Sequence, residues 1–164
     1  MKTTQGGSRR STKRRVIQRL ALIPIITVVG LYFLSLTSAQ PTNLGVSNGV
    51  LAKCPDSPNC VSTQSGNPDQ QMPSIPFDGD ASEMLKKIKQ LIQTEFPRAT
   101  LVGEFDHYLH FEFKSLIFRF IDDVEFFVDD TSKEVQFRSA SRVGHSDLGV
   151  NRKRMSQISE SLNQ

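Results

Sequence analysis

The spacing of the hydrophobic residues changes at Pro97 in this chain of 164 residues. Before Pro97, apolar side chains recur every three to four residues from Met84 to Phe96, which predicts an amphipathic helix. Asp80 or Ser82 can accept hydrogen bonds from the free N–H groups of its first turn. After Pro97, apolar and polar residues alternate, which predicts β-strands. The expected strands are residues 100–103, 108–114, 116–128 and 134–143.

The end of the chain returns to helical spacing. Met155, Ile158 and Leu162 fall on one side of a helix predicted over 151–162. Two helices and about four strands in this order predict an α+β fold, in which both helices pack on one face of an antiparallel sheet.

Strand parity assigns polar side chains to the two faces of this sheet. Asp122 falls among core-facing apolar positions, and we expect a β-bulge at 121–123 to turn it outward; the alternative is a buried carboxylate with a partner. His110 lies on the polar face of its strand and is expected at the surface. On the same face, Asp123 and Glu125 can reach the arginines of the next strand.

The first 39 residues form a leader. Its seven Lys and Arg residues precede an uncharged apolar run over 20–36. This pattern is typical of a signal peptide or an N-terminal membrane anchor, and both interpretations stay open. The positive charge keeps the N-terminus cytoplasmic. We therefore expect contact with a membrane through residues 20–39 and a globular part outside the cytoplasm, on the periplasmic side of a cell envelope or in an organellar lumen.

The leader also accounts for the basic composition of the chain. Residues 40–164 contain 13 Lys and Arg but 17 Asp and Glu. A nucleic-acid-binding protein needs its basic patch in the folded domain. We therefore expect no nucleic acid as a partner.

Residues 40–80 are rich in Pro, Ser, Asn, Gln and Gly, which indicates a tether over 40–48 and an irregular arm over 49–80. Cys54 and Cys60 are the only cysteines. Outside the cytoplasm, two thiols at this spacing form a disulfide in the simplest interpretation. A reactive thiol pair is an alternative, and so are two metal ligands, although two thiolates without His or Cys nearby make a poor zinc site.

The segment 138–154 combines five Lys and Arg residues with Ser, Asp and Asn around two glycines. It spans the expected end of a strand, a turn and the start of the last helix. Free N–H groups at a helix start, together with nearby guanidinium groups, can bind a carboxylate or a phosphate. The alternative is that these residues only lock the corner between strand and helix. The candidate ligand-binding residues are Arg138, Arg142, Ser146, Asp147, Asn151 and Arg152.

Two sequence motifs, CPDSPNCVS at 54–62 and SASRVGHSDLGVNRKR at 139–154, resemble the bacterial and plastid family DUF1499, a domain of unknown function. The resemblance covers about 49–158 and implies a domain over 49–164. It brings no established reaction or cofactor. His145 stands where the family has Tyr, so a mechanism that used a phenol at this place would not apply here.

The residues favour a binding domain over an enzyme. The three histidines are scattered, and Ser139 and Ser141 lack the GxSxG nucleophile motif. The acidic residues lack the spacing of a calcium loop. We therefore expect no cofactor, no metal and no catalytic residues. The leading hypothesis is an envelope domain that binds an anionic small molecule or an envelope protein through Arg138, Arg142 and Arg152. The alternatives are a structural or assembly factor for a membrane complex and an enzyme of unknown type.

Overall fold

The computed structural model describes residues 28–33, 35 and 38–164, and residues 28–33 and 35 are helical. Most of the predicted leader over 1–39, including most of its apolar run, lies outside the described residues. Within the described part of the chain, no helix has the length and apolar character needed to cross a bilayer.

The domain is α+β, as the sequence predicted, and its two long helices pack against a mostly antiparallel sheet. Helix α1 (Ala81–Glu95) precedes the long strands, and helix α2 (Val150–Leu162) follows them. The strands in chain order are β1 (Val46–Ser47), β2 (Val50–Leu51), β3 (Cys60–Ser62), β4 (Ile75–Pro76), β5 (Ala99–Phe105), β6 (Tyr108–Lys114), β7 (Ile121–Asp129) and β8 (Glu134–Ser141).

The main sheet has six strands, two more than predicted. Its order is β3-β8-β7-β6-β5, and β4 also pairs with β8. All of these pairings are antiparallel, while β1 and β2 form a separate hairpin. The long strands β5 to β8 are the four that alternation predicts. Strands β2, β3 and β4 lie in the arm that was expected to be irregular, because two or three residues are too few to show alternation.

Both helices bury their apolar sides against one face of the sheet. The Asp80 carboxylate caps α1 by accepting from the N–H of Ser82 at 2.7 Å. The residues that α1 buries are Ala81, Met84, Ile88 and Ile92, and those of α2 include Met155, Ile158 and Leu162. The aromatic rings of Phe111, Phe126 and Phe137 complete this core from the sheet. We call this side of the sheet the core face.

The expectation of a β-bulge at 121–123 was wrong. Strand β7 pairs with β6 and β8 without a register break, and the only irregularity of the long strands lies in β5, between Leu101 and Gly103. Asp122 is therefore buried on the core face, where Arg154 pairs with it at 2.6 Å. This ion pair provides the partner that a buried carboxylate needs. Strand β7 also begins at Ile121 rather than at residue 116.

The other side of the sheet, the outer face, is covered by residues 40–46 and 53–55 of the tether and arm. The backbone N–H of Gly45 donates to the Glu125 carboxylate at 2.8 Å, which fastens the tether across the sheet. His110 is consequently buried, and the expectation of a surface position was wrong. Because the outer face carries polar and charged side chains, the covering segment encloses a polar layer rather than a second apolar core.

Candidate functional site

Cys54 and Cys60 form a disulfide, with 5.7 Å between their Cα atoms. Cys60 begins β3 and pairs with Ala140 of β8. Since β8 is a central strand, the disulfide fixes residues 53–55 beside the outer face of the sheet. Residues 53–55 form one wall of a cavity on the outer face, which is described below.

The two sequence motifs, 54–62 and 139–154, meet at Asn59. The Asn59 side-chain amide donates to the carbonyl of Gly144 at 2.5 Å and to that of Ser141 at 3.4 Å. In return, the backbone N–H of Ser141 donates to the Asn59 carbonyl at 3.0 Å. The arm and the end of β8 therefore hold each other in place.

Asn151 is the centre of the corner between β8 and α2. Its side-chain oxygen accepts from the Ser139 hydroxyl at 2.6 Å and from Arg154 Nη1 at 2.7 Å. Its Nδ2 donates to the Asn59 carbonyl and to the Ser141 hydroxyl, both at 3.1 Å. The side chain is fully buried, so these four bonds replace all of its contacts with water.

Arg154 and Asp122 extend this corner toward the core. The Asp122 carboxylate accepts from Arg154 Nη2 and from the Ser141 hydroxyl, each at 2.6 Å. The guanidinium group of Arg154 also lies over the ring of Phe113, 4.6 Å from its centroid. Because the pair is hydrogen-bonded on several sides, its burial is compensated.

Ser146 and Asp147 satisfy backbone groups at the start of α2. The Ser146 hydroxyl accepts from the N–H of Leu148 at 3.2 Å. The Asp147 carboxylate accepts from Gly149 at 3.0 Å and from Asn151 at 2.8 Å. These N–H groups, which the sequence offered as donors for an anion, are therefore bonded within the chain.

Arg152 points away from the outer face. It donates to the carbonyl of Asp69 at 2.7 Å and to that of Gln71 at 3.2 Å, which ties α2 to the loop before β4. The six predicted ligand-binding residues thus do not converge on one place. The structure brings Arg138 and Arg142 together on the outer face, and Ser146, Asp147 and Asn151 together at the start of α2.

Arg142 lies in a buried polar network on the outer face. It donates to both oxygens of Asp123, at 2.7 and 2.8 Å, and to Glu112 at 2.5 Å. His110 Nε2 lies 2.8 Å from the same Asp123 carboxylate. Burial alone would raise the pKa of Asp123, but the hydrogen bonds from Arg142 and His110 outweigh it and hold that pKa below its ordinary value. Asp123 is therefore an ionised carboxylate.

Arg138 and Tyr108 share a second buried carboxylate, that of Glu125. Arg138 Nη1 donates to Glu125 at 3.0 Å, and the Tyr108 hydroxyl donates at 2.8 Å. Burial and the neighbouring negative charge raise the pKa of Tyr108 above its ordinary value. Arg138 Nε is the one side-chain nitrogen or oxygen in the described residues that is buried without a hydrogen-bond partner.

A cavity of about 340 Å³ lies between the arm and the outer face. Its charged lining residues are Lys53, Arg138, Arg142 and Asp123, so three cations face one carboxylate. Guanidinium groups bind carboxylates and phosphates through paired N–H donors. Among the described residues, no group of three or more His, Cys, Asp or Glu side chains is placed to hold a metal ion. The lining of the cavity therefore offers cationic N–H donors.

Fold and site together define a class of domain, an α+β sheet whose outer face is enclosed by a disulfide-fixed arm. The family model that matches the chain is described as "Protein of unknown function (DUF1499)" and covers residues 50–162. The chain belongs to this family, as its two motifs predicted. No curated protein and no solved structure gives a significant match.

Sequence reasoning found part of the outer-face site. Strand parity predicted that Asp123 and Glu125 could reach Arg138 and Arg142, and both carboxylates do so. It missed Lys53, whose place beside β8 follows from the disulfide and from the pairing of β3. It also missed Tyr108 and His110, because only the covering tether makes their strand face a buried one.

Proposed function

We propose that this chain is an extracytoplasmic domain, held at a membrane through residues 20–39, that binds a small anion between its arm and the outer face of its sheet. The observation that carries the proposal is the set of Lys53, Arg138 and Arg142 around a cavity that contains one carboxylate. The basic leader and the disulfide support the location, because disulfides persist in oxidising compartments.

Arg138 and Lys53 are the residues we expect to touch the anion. Arg142 already bonds two carboxylates, so its charge is largely compensated. Arg138 has one carboxylate partner, and its Nε has no partner at all. A buried donor without a partner costs about 1–3 kcal/mol, so the Arg138 guanidinium group is incompletely satisfied within the chain. Lys53 makes no ion pair among the described residues and adds an uncompensated positive charge.

The size of the cavity limits the ligand. Its volume of about 340 Å³ is near the lower end of the range of about 300–1,000 Å³ for small-molecule sites. Inorganic phosphate, a phosphate monoester or a small carboxylic acid is therefore the class of ligand that the cavity suits. Lys53 and the guanidinium group of Arg138 favour such anions over neutral molecules of the same size.

The test is a thermal-shift titration of the chain with inorganic phosphate and with succinate. Either anion should raise the melting temperature, because selective binding to the folded state stabilises it. Lys53→Gln should weaken the binding about fivefold, as expected for one exposed ion pair. Lys86→Gln is the matched control, since Lys86 is exposed on α1 and lines none of the cavities described. Equal responses of the two variants, or no response of the wild type, would refute the proposal.

A second candidate function is assembly of a membrane complex. The observation that favours it is an apolar surface at the end of the domain where β6 joins β7. Leu116 and Val150 line one shallow cavity there. The neighbouring Ile117 and Leu148 are 68% and 93% exposed. Apolar groups gathered at a surface are typical of protein contacts. A photoreactive residue at position 148 should then crosslink a distinct membrane protein that the same residue at position 86 does not reach.

A further inference from the structure

A second cavity, of about 970 Å³, lies on the outer face beside β5 and β6. It shares no lining residue with the cavity between the arm and the outer face that we propose for a small anion. Its walls include apolar side chains of the tether, such as Leu44, and of β5, where Phe105 is 69% exposed. The rings of Phe105 and Tyr108 stack with their centroids 6.2 Å apart. These walls offer apolar and aromatic surface to a ligand.

His110 supplies a hydrogen-bonding group to this cavity. Only 3% of the residue is exposed. Its Nε2 lies 2.8 Å from Asp123, an ionised carboxylate that can only accept, so Nε2 carries the proton. In the neutral imidazole, Nδ1 is then an acceptor, and no hydrogen bond among the described residues uses it. Arg138 Nε is the one fully buried side-chain nitrogen or oxygen without a partner among the described residues, so Nδ1 of His110 keeps some exposed surface. This surface faces the cavity that His110 lines.

Gly103 keeps the space in front of this acceptor open. It pairs with His110 across β5 and β6, next to the irregularity in β5. A Cβ atom at this position would lie 3.3 Å from His110 Cβ, 3.9 Å from Nδ1 and 3.7 Å from the Phe105 ring. The backbone of Gly103 is not in the left-handed region, so its conformation does not require glycine. What the absent side chain provides is room beside the imidazole.

We propose that this second cavity binds a neutral aromatic compound that carries a hydroxyl group. The aromatic part packs against Phe105 and Tyr108, and the hydroxyl donates to His110 Nδ1. A neutral ligand fits, because no Lys or Arg among the described residues lines this cavity, whereas the carboxylate residue Asp106 does. The volume leaves room for a ligand larger than one ring. This binding does not depend on the anion site.

The experiment uses the full chain in lipid nanodiscs, with isotope-labelled histidine and NMR detection of the ring nitrogens. The probes are p-cresol and its methyl ether, which has no donor. We expect p-cresol to shift the Nδ1 resonance of His110 in a saturable manner and the ether to bind about tenfold more weakly, since it leaves the acceptor unpaired. The readout is local to His110, so partition of both probes into lipid does not imitate it.

Two variants make the result specific. Gly103→Ala should abolish the shift while the response to phosphate stays as in the wild type. If Gly103→Ala fails to fold, Phe105→Ala takes its place and should weaken the binding of p-cresol about tenfold. Ile117→Ala is the control for Phe105→Ala, because Ile117 is similarly exposed and lies outside the cavity. The proposal is overturned if the His110 resonance does not move, if the ether shifts it as much as p-cresol does, or if the folded variants bind like the wild type.

Discussion

The buried side chain of Asn151 lends itself to a quantitative test of how the corner between β8 and α2 is held. Asn151→Ala removes four side-chain hydrogen bonds without adding volume. At about 1 kcal/mol for each bond, the variant should lose about 4 kcal/mol of its free energy of unfolding. A domain of this size has about 5–15 kcal/mol in total, so the variant should fold but be marginally stable.

The assay is urea denaturation of residues 38–164 with the disulfide intact, followed by circular dichroism. The transition midpoint should fall while its slope stays unchanged, because the surface exposed on unfolding is the same. Ser156→Ala is the matched control. Ser156 lies five residues further along α2 and makes no side-chain hydrogen bond among the described residues, so its effect should stay within about 0.5 kcal/mol. A loss below about 1 kcal/mol for Asn151→Ala, with an unchanged slope, would refute the idea that this corner is a structural lock.

Two further predictions concern the outer face. In a Tyr32→Phe variant, Tyr108 is the only tyrosine. The pKa of Tyr108 is raised in the folded domain, so the stability that Tyr108 contributes is complete below the unfolded pKa of about 10 and falls as the pH rises above it. We therefore expect tyrosinate absorbance to appear only at the pH where circular dichroism shows that the domain unfolds. Ionisation in the folded domain would contradict this. Reduction of the Cys54–Cys60 disulfide should weaken phosphate binding as Lys53→Gln does, because the arm then no longer holds Lys53 at the cavity. An unchanged affinity for phosphate in the folded, reduced protein would show that the disulfide does not position Lys53.

The long elements of this fold could be predicted because their apolar residues repeat over several turns or pairs. Helix α1 shows a helical period up to Pro97, and β6 alternates over its seven residues. Strands β3 and β4 could not be predicted in this way. Each has two or three residues, and what makes them strands is their pairing with β8, which no local pattern encodes.

The two misplaced polar residues share a physical reason. Alternation indicates which face of a strand a residue occupies, but it does not indicate what covers that face. His110 was assigned to the correct face, and the tether then buried it. Asp122 was assigned to the core face, and a partner 32 residues away, Arg154, made that position acceptable without a bulge. In both cases the decisive contact is distant in sequence.

The segment 138–154 looks like a single site in the sequence but serves both faces of the sheet. In β8, successive side chains alternate, so Arg138 faces the arm whereas Ser139 faces α2. After the turn, the helical period returns Asn151 to the serines of β8. Core-side residues of the motif therefore stabilise the corner, and its outer-side arginines line the cavity between the arm and the sheet. It follows that substitutions on the core side should lower stability, and substitutions at the cavity that break no ion pair should change binding alone.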